Sequence, residues 1–377
     1  MRITADWIRD EAAQAVMAAL AAGGVHALFV GGCVRNALLG VPVADIDIAT
    51  EARPETVIAL TQAAGLRPVP TGIDHGTITV VSHGRGFEVT TFRMDLETDG
   101  RRAVVAFADD VADDAARRDF TMNALYADAE GRVIDPLGGL PDVIARRVRF
   151  VGDPHARIAE DYLRILRFFR FHALYGDPEQ GLDPEALAAC AAHVDGLARL
   201  SRERIGHEMR RLLKAPDPAP SVAAMAAAGV LAHVVPGADP RALAPLVHLE
   251  GQMPPRWLRR LAALGGDASD LRLSRDETRG LEARQAALAS GDGPAVMAFR
   301  HGAPAAEDAI LIRAASLGAL PPEGWQAEVA RGAGASFPIR AADLPGLSGA
   351  TLGERLRVLQ EAWIASDLRA DKATLLA

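Results

Sequence analysis

The pattern of apolar and polar positions divides the chain into two parts. Up to about Asp135, short runs of strand character alternate with segments of helical spacing, and after about Arg146 only helical spacing remains. The predicted strands are His26–Val30, Asp45–Ala49, Thr77–Val81, Phe87–Phe92, Val104–Phe107 and Val133–Asp135. The predicted helices are residues 4–22, Val34–Leu39, Pro54–Ala64, Thr121–Tyr126, Arg157–Tyr175, Pro184–Val194, Ser201–Lys214 and Ser221–Ala228. We therefore expect an α+β protein, with a head built on a small mixed sheet and an all-helical remainder.

Two aspartates lie one residue apart in the second predicted strand. The alternation Asp45-Ile46-Asp47-Ile48 puts both carboxylates on one face and both isoleucines on the other. An exposed strand edge with a polar face would give the same pattern. Neighbouring carboxylates repel each other unless a cation lies between them, and Glu88, on a later strand, can supply a third oxygen ligand for Mg²⁺. This set of carboxylates favours metal-dependent phosphoryl or nucleotidyl transfer.

A glycine turn just before the aspartates strengthens that interpretation. Gly31 and Gly32 end the first predicted strand and open a helix, whose first backbone N–H groups have no intrahelical acceptor and can bind an anion. Arg35 lies one helical turn further on. A tight strand-to-helix turn with a surface arginine is the alternative.

Two further clusters carry candidate binding residues. In the segment 117–124, Asp119 or Thr121 is expected to cap the next helix, which leaves Arg118 and Asn123 free to face phosphate and sugar. In the segment 160–171, Asp161, Arg164 and Arg167 recur every three residues and share one helix face, beside an apolar stripe of Leu163, Leu166 and Phe169. A carboxylate beside a guanidinium can read the edge of a base, although an i,i+3 salt bridge on a solvated face would look the same.

Composition and charge are those of an ordinary globular protein. With 377 residues the chain is long enough for two or more domains. Cys33 and Cys190 are the only cysteines, there is no membrane-spanning apolar run or signal-peptide core, and we expect a cytoplasmic enzyme. The net charge of −8 argues mildly against a nucleic-acid partner, but residues 146–214 hold 13 basic against 10 acidic residues. Nearly all of the positive charge is arginine, which suits phosphates and base edges.

These segments together resemble the class II tRNA nucleotidyltransferase/poly(A) polymerase family, and most closely its CCA-adding members. The matching segments are GGCVRNALLG, DIDIAT, TGIDHGT, EVTTFR, RRDFTMNAL, DPLGG, EDYLRILRFFRF and, more weakly, SRERIGHEMRRLL. The resemblance implies a polymerase-β-like catalytic head over residues 1–145, a helical neck over 146–214 that recognises the base, and a helical body and tail over 215–377 that bind tRNA. It also implies Mg²⁺ as the cofactor and CTP and ATP as substrates for CCA addition to the tRNA 3′ end.

The resemblance assigns roles to individual residues. Asp45 and Asp47 match the metal-binding aspartates and Glu88 the third carboxylate. Gly32, Arg35 and Arg118 match positions that contact triphosphate and sugar, and Asp161 and Arg164 match the pair that reads the Watson–Crick edge of the nucleotide. Arg167 and Arg170 match further nucleotide-site arginines. The stretch from Met94 to Asp113 lies where the family has a flexible loop needed to switch from C to A addition.

The sequence also departs from the family pattern. Asn36 stands where an aspartate usually follows the arginine, and the 94–107 loop is short. No His-Asp pair typical of HD phosphohydrolases follows residue 214, so no attached phosphatase is expected. CC-only addition, A-only addition and poly(A) synthesis remain the alternatives within the family, and an inactive RNA-binding protein is the alternative outside it. Poly(A) polymerases carry an arginine-rich stretch where this chain has residues 71–77, which favours CCA or partial CCA addition.

Overall fold

The computed structural model describes residues 1–99 and 102–377, and for residues 95–99 and 102–105 it describes the backbone. The chain forms two compact units. The first unit comprises Met1–Glu208 and Ala224–His233, and the second comprises Met209–Ala223 and Val234–Ala377. No helix in the described residues is both long enough and apolar enough to span a membrane.

The strands lie in the first unit and confirm the predicted mixed sheet. In the described part of the chain they are β1 (Ala27–Val30), β2 (Asp47–Thr50), β3 (Arg67–Gly72), β4 (Thr77–Ser82), β5 (Arg85–Thr91), β6 (Arg93–Asp99), β7 (Arg102–Phe107), β8 (Tyr126–Ala127) and β9 (Val133–Ile134). Seven of them form one sheet in the order β3-β4-β5-β2-β1-β8-β9. The β2–β5 pair is parallel, and the other neighbours in this sheet are antiparallel.

Helices make up the rest of the first unit and the second unit. Those before the division are α1 (Glu11–Ala22), α2 (Gly32–Leu39), α3 (Pro54–Ala63), α4 (Val111–Ala116), α5 (Leu140–Ile144), α6 (Pro154–Glu160), α7 (Leu163–Tyr175) and α8 (Pro184–Ala192). Three helices include residues of both units: α9 (Arg202–Leu213), α10 (Ala219–Ala227) and α11 (Val230–Val234). The second unit continues with α12 (Leu243–Glu250), α13 (Trp257–Leu264), α14 (Arg275–Ala289), α15 (Pro294–His301), α16 (Ala303–Leu317), α17 (Trp325–Ala333), α18 (Gly349–Ala365) and α19 (Lys372–Leu376).

The centre of the sheet is covered by apolar side chains on both faces. Phe29 pairs in register with Ile48, which pairs with Val89, and all three side chains are fully buried. The opposite face carries an apolar cluster that includes Leu28 and Phe92. Burial alternates along β4 and β5, as expected for strands with one covered face, whereas in β1 and β2 both faces are covered and successive residues are buried.

Three predicted helices differ from the structure. The helix predicted over residues 4–22 is divided into a 3₁₀ helix, Asp6–Arg9, and α1, because the side chain of Asp10 caps α1 by accepting from the backbone N–H of Ala13. The segment predicted as a helix from Thr121 to Tyr126 forms a short 3₁₀ helix, Thr121–Asn123, followed by β8, because Tyr126 pairs with Val30 at the edge of β1. The helix predicted from Arg157 to Tyr175 is interrupted between α6 and α7. Asp161 adopts an extended backbone there, with φ −152° and ψ 106°, and its carboxylate accepts a hydrogen bond from the backbone N–H of Leu163. Local side-chain capping has outweighed helix continuation at this point.

The predicted loop between Met94 and Asp113 is largely a hairpin. Strands β6 and β7 pair in antiparallel fashion, with Arg93 opposite Phe107. Residues 100 and 101, within the segment singled out as loop-like, lie outside the described residues. Helix α4 follows the hairpin and contains Asp113, the last residue of the predicted loop.

Helix α7 is attached to the sheet-bearing part of the first unit by aromatic packing. Phe120 contacts the rings of Phe150, Phe168 and Phe171, and ring centroids of Phe120 and Phe171 lie 4.9 Å apart. The predicted apolar stripe of Leu163, Leu166 and Phe169 is buried, as expected. This packing leaves the polar face of α7 to carry Arg164 and Arg167, which are half-buried.

Candidate active site

The predicted carboxylates come together at the junction of β2 and β5. Because these strands are parallel and in register, Asp47 lies directly opposite Glu88. Asp45 precedes β2 by two residues and is exposed, whereas the intervening Ile46 and the following Ile48 are buried. An open cleft of about 580 Å³ lies here and is lined by Ala44, Asp45, Ile46, Asp47, Thr79, Arg85, Gly86, Phe87 and Glu88.

Of these three carboxylates Asp47 is half-buried, whereas Asp45 and Glu88 are exposed. Within the described residues, no side chain or backbone group hydrogen-bonds to or forms an ion pair with the carboxylate of Asp45, Asp47 or Glu88. The pKa of Asp47 is raised above its usual range, first by burial and then by the negative charge of Glu88. The nearby Arg118 opposes this shift, and Asp45 adds to it. A cation placed against Asp45 and Asp47 would relieve this repulsion.

The donor chemistry fits a magnesium ion that is only partly ligated by protein. Among the described residues, no group of three or more His, Cys, Asp or Glu side chains is arranged to hold a metal ion, so Glu88 does not complete a ready-made site. Asp45 and Asp47 offer carboxylate oxygens, which are the ligands Mg²⁺ prefers. Mg²⁺ is commonly bound by one or two carboxylates together with substrate phosphates. The residues present fit that mode of binding.

The glycine turn forms the start of α2. Gly31 has φ +68°, which favours glycine, and its N–H donates to the carbonyl of Leu125 at 3.0 Å. A Cβ atom at Gly31 would lie 3.2 Å from Nη1 of Arg118. Gly32 is the first residue of α2, so the glycine pair opens a helix as predicted. The first N–H groups of a helix have no intrahelical acceptor.

Arg118 is held beside this turn by a buried acid. Its Nη2 donates to Oδ2 of Asp114 at 2.8 Å, and its Nε lies 3.1 Å from the hydroxyl of Tyr126. The ion pair raises the pKa of Arg118 and lowers the pKa of Asp114 to about 2. Burial works against both shifts, so the attraction between the charges outweighs desolvation.

Asn123 is not free to face a ligand, contrary to the prediction. Its side chain is buried, accepts a hydrogen bond from Nη1 of Arg35 through Oδ1, and donates to Oδ1 of Asp119 at 2.9 Å. Oδ2 of Asp119 in turn accepts from Nε of Arg167 at 2.7 Å. Asn123 therefore joins α2 to α7 through a chain of buried hydrogen bonds. Neither Asp119 nor Thr121 caps a helix by its side chain; the hydroxyl of Thr121 donates to Asp142.

Arg35 is buried, and its hydrogen bonds are to the neutral side chains of Asn36 and Asn123. Its Nη2 donates to Oδ1 of Asn36 at 2.8 Å, and its guanidinium carbon lies 3.9 Å from the ring centroid of Tyr175. Burial lowers the pKa of Arg35. Asn36, the departure from the family pattern, thus still contacts the arginine, but as a neutral acceptor.

Asp161 and Arg164 do not form the i,i+3 salt bridge that was the alternative interpretation. Oδ2 of Asp161 accepts from Nη2 of Arg204 at 2.6 Å, whereas Nη1 of Arg164 donates to the carboxylate of Glu160 and, at 2.7 Å, to the carbonyl of Arg157. Both side chains are half-buried. Each is therefore held by a separate partner.

Arg170 occupies a different environment from Arg164 and Arg167. It is only 2% exposed, and its Nε donates to Glu208 at 2.6 Å. A nucleotide-contacting position was predicted for this arginine, but in this structure the side chain lies in the interior.

Three residues that hold predicted site residues in place were not predicted from the sequence. Asp114, Glu160 and Arg204 hold Arg118, Arg164 and Asp161, respectively. Asp114 and Glu160 each precede their arginine by four residues, the spacing of neighbours on a helix surface, so this signal was present in the sequence. Arg204 is 43 residues from its partner, and no local pattern could indicate that contact.

Two family models match separate stretches of the chain. The poly A polymerase head domain matches residues 27–149, and the probable RNA and SrmB-binding site of polymerase A matches residues 181–241. The human mitochondrial CCA tRNA nucleotidyltransferase 1 (Homo sapiens) is 46% identical over 184 residues, which cover 48% of this chain and 42% of that protein. A CCA-adding enzyme of Lacticaseibacillus paracasei is 42% identical over 209 residues, which cover 55% of this chain and 51% of that enzyme. The matched stretch therefore spans about half the length of these curated relatives.

A solved structure extends the likeness to nearly the whole chain. The crystal structure of the Bacillus stearothermophilus CCA-adding enzyme in complex with CTP is 30% identical in sequence and superposes with a TM-score of 0.73. The superposition covers 95% of this chain and 93% of that one. The chain belongs to the tRNA nucleotidyltransferase/poly(A) polymerase family.

Proposed function

We propose that this protein adds CCA to the 3′ end of tRNA from CTP and ATP, with release of pyrophosphate. The observation that carries the proposal is the set of carboxylates Asp45, Asp47 and Glu88, which line a cleft of a family member and have no partner among the described residues. The likeness to a CCA-adding enzyme bound to CTP, over 95% of this chain, supports this choice of reaction.

Asp45 and Asp47 are the residues proposed to hold Mg²⁺. When bound, the metal acidifies the attacking 3′ hydroxyl and neutralises charge on the triphosphate. Glu88, opposite Asp47, adds negative charge to the same strand face and so favours a bound cation there. The three carboxylates are the proposed catalytic residues.

The triphosphate is proposed to bind at the start of α2. The N–H groups that follow Gly31 and the positive end of the helix attract anions, and Nη1 of Arg118 lies beside the turn, 3.2 Å from where a Cβ of residue 31 would be. Arg35 supplies a second positive charge whose contacts are with neutral groups. Gly31, Gly32, Arg35 and Arg118 thus form the proposed phosphate- and sugar-binding group.

Asp161 and Arg164 are proposed to read the base. Asp161 can accept from an exocyclic amine, and Arg164 has five N–H donors, of which the contacts to Glu160 and Arg157 occupy one nitrogen. Arg167 is proposed to support them by holding Asp119. For Arg170 and Asn123 we propose a supporting role in place of direct contact, because Arg170 pairs with Glu208 in the interior and both ends of the Asn123 amide are already hydrogen-bonded.

The proposed division of labour follows the chain. Residues 1–145 would carry out catalysis, residues 146–214 would recognise the base, and residues 215–377 would bind the tRNA. The arginine-rich composition of 146–214 supports contact with nucleic acid, in a chain whose net charge is −8. Mg²⁺ as the ion used and a cytoplasmic location are also part of the proposal.

Primer extension on tRNA transcripts tests this function. Transcripts ending before CCA, after C and after CC would be incubated with Mg²⁺ and CTP, ATP or both, and the products resolved at single-nucleotide length. We expect completion to CCA on all three and no further growth. Arrest at CC, addition of the last A alone, or a long A tail would replace the proposal with one of the three alternatives within the family.

A further inference from the structure

Asp114 is a buried carboxylate on α4 that accepts hydrogen bonds from several donors. Its Oδ1 accepts from Nε of Arg117 at 2.9 Å and from the backbone N–H of Arg93 at 3.3 Å. Its Oδ2 accepts from Nη2 of Arg118 at 2.8 Å and from the hydroxyl of Tyr126 at 2.7 Å. The side chain is only 1% exposed. A carboxylate fixed by so many donors cannot rotate to follow a moving partner.

The contacts of Arg118 with Asp114 and Tyr126 fix the orientation of its guanidinium group. Asp114 engages Nε and Nη2 of the guanidinium, and Tyr126 also contacts Nε. The remaining nitrogen, Nη1, lies 3.5 Å from the carbonyl of Asn123 and beside Gly31, where a Cβ would come within 3.2 Å of it. Because the guanidinium is planar and rigid, fixing two nitrogens fixes the direction of the third.

The charges also favour an anion at this place. Asp114 neutralises only one of the two guanidinium charges that it contacts, those of Arg117 and Arg118. The group formed by Asp114, Arg117 and Arg118 thus carries one excess positive charge in a partly buried environment next to the N-terminus of α2. Attraction for a phosphate is stronger there than in bulk water.

We propose that Asp114 is a positioning residue that aims Nη1 of Arg118 at the glycine turn and thereby sets the affinity for the triphosphate of the incoming nucleotide. The inference rests on the proposed function, because it takes a nucleoside triphosphate as the ligand. It goes further by assigning the orientation of Arg118 to a residue that does not itself touch the nucleotide. The effect is independent of the base, so CTP and ATP are affected alike.

A double-mutant cycle with nucleotide binding as the readout tests the proposal. Dissociation constants of CTP, ATP and AMP would be measured without tRNA for the wild type, Asp114→Asn, Arg118→Ala and the double variant. We expect Asp114→Asn to weaken CTP and ATP about tenfold each, with their ratio unchanged and AMP affected less. In the Arg118→Ala background the same substitution should change these constants by less than about twofold.

Two further variants keep the result interpretable. Asp142→Asn removes another buried acid that pairs with an arginine, Arg149, and should leave nucleotide binding unchanged. Tyr126→Phe removes one hydroxyl from the same cluster and should show a smaller loss with the same dependence on Arg118, even if Asp114→Asn does not fold. Equal losses in the wild-type and Arg118→Ala backgrounds, or unchanged triphosphate binding in a folded Asp114→Asn, would overturn the proposal. A wild type that binds CTP and ATP but extends no tRNA would instead count against the proposed function alone.

Discussion

Asp47 lies directly opposite Glu88 on neighbouring parallel strands, and neither carboxylate has a partner in the described part of the chain. The register of β2 and β5 imposes this proximity, because paired residues of adjacent strands project to the same side. Like charges placed opposite each other destabilise a sheet. The arrangement therefore supports the proposed binding of a cation by Asp45 and Asp47.

Thermal unfolding with and without Mg²⁺ measures this effect. A cation that binds only the folded state should raise Tm by about 2 °C or more once its concentration is ten times Kd. Asp47→Asn should lose that response. Without Mg²⁺ the variant should melt no lower than the wild type, since burial and Glu88 already disfavour the charged form of Asp47. An unchanged response to Mg²⁺ in the variant would place the ion elsewhere.

Asn123 connects two charged groups, so its removal should be costly. Asn123→Ala leaves Nη1 of Arg35 and Oδ1 of Asp119 each without this buried partner, and we expect a loss of about 2 to 3 kcal/mol in the free energy of unfolding. Urea denaturation gives the value. Gln180→Ala, at an exposed hydrogen-bonding residue, is the matched control and should change stability by about 0.5 kcal/mol or less. Equal effects of the two substitutions would show that the buried hydrogen bonds of Asn123 contribute no more to the free energy of unfolding than an exposed hydrogen bond does.

Arg164→Ala should relax the choice between CTP and ATP. The side chain is half-buried on α7 and is proposed to contact the base, so tRNA affinity should be nearly unaffected. The ratio of kcat/KM for the two nucleotides at the first added position is the measurement. Arg357→Ala removes an exposed arginine of α18 and should leave this ratio as in the wild type. Retained selectivity in Arg164→Ala would remove this residue from base recognition.

Acid should destabilise the first unit through Asp114. Its pKa is lowered to about 2 in the folded protein, mainly by Arg118 and Arg117, against about 4 in an unfolded chain. A lowered folded-state pKa gives stability that is fully present above the unfolded pKa and is lost as pH falls toward the folded one. About 2 kcal/mol should therefore disappear between about pH 5 and pH 2. Denaturation curves of Asp114→Asn should show a shallower pH slope, and an equal slope would refute the assignment.

Binding of tRNA should weaken steeply with salt. With a net charge of −8 the protein as a whole repels RNA, so affinity must come from local arginine contacts to phosphates. A few such contacts reduce affinity by about tenfold or more between 50 and 200 mM salt. Filter binding at a series of salt concentrations tests this, and a salt-independent Kd would mean that phosphates are not what the protein recognises.

The parts of the site that depend on local periodicity could be predicted from the sequence. The alternation around Asp45 and Asp47 placed both isoleucines in the core, and the glycine pair marked the start of α2. Both features depend on the residues immediately around them, because strand alternation and helix initiation are determined by local sequence.

The parts that depend on distant partners could not be predicted. The break at Asp161 is stabilised by Arg204 on another helix, and the role of Asn123 depends on Arg35, 88 residues away. Tyr126 is in a strand only because β1 offers a free edge. Sequence spacing alone favours a helix at Tyr126 and at Asp161, and tertiary contacts decide otherwise.

Extension of a tRNA transcript lacking CCA by the wild type and Asp47→Asn, with Mg²⁺, CTP and ATP, tests the central claim most directly. The wild type should add C, C and A in order. Asp47→Asn should lower the rate at least about a thousandfold, or about 4 kcal/mol in activation free energy, while binding tRNA with unchanged affinity. A variant that keeps its rate within about tenfold of the wild type would contradict metal-dependent nucleotidyl transfer at this pair of strands.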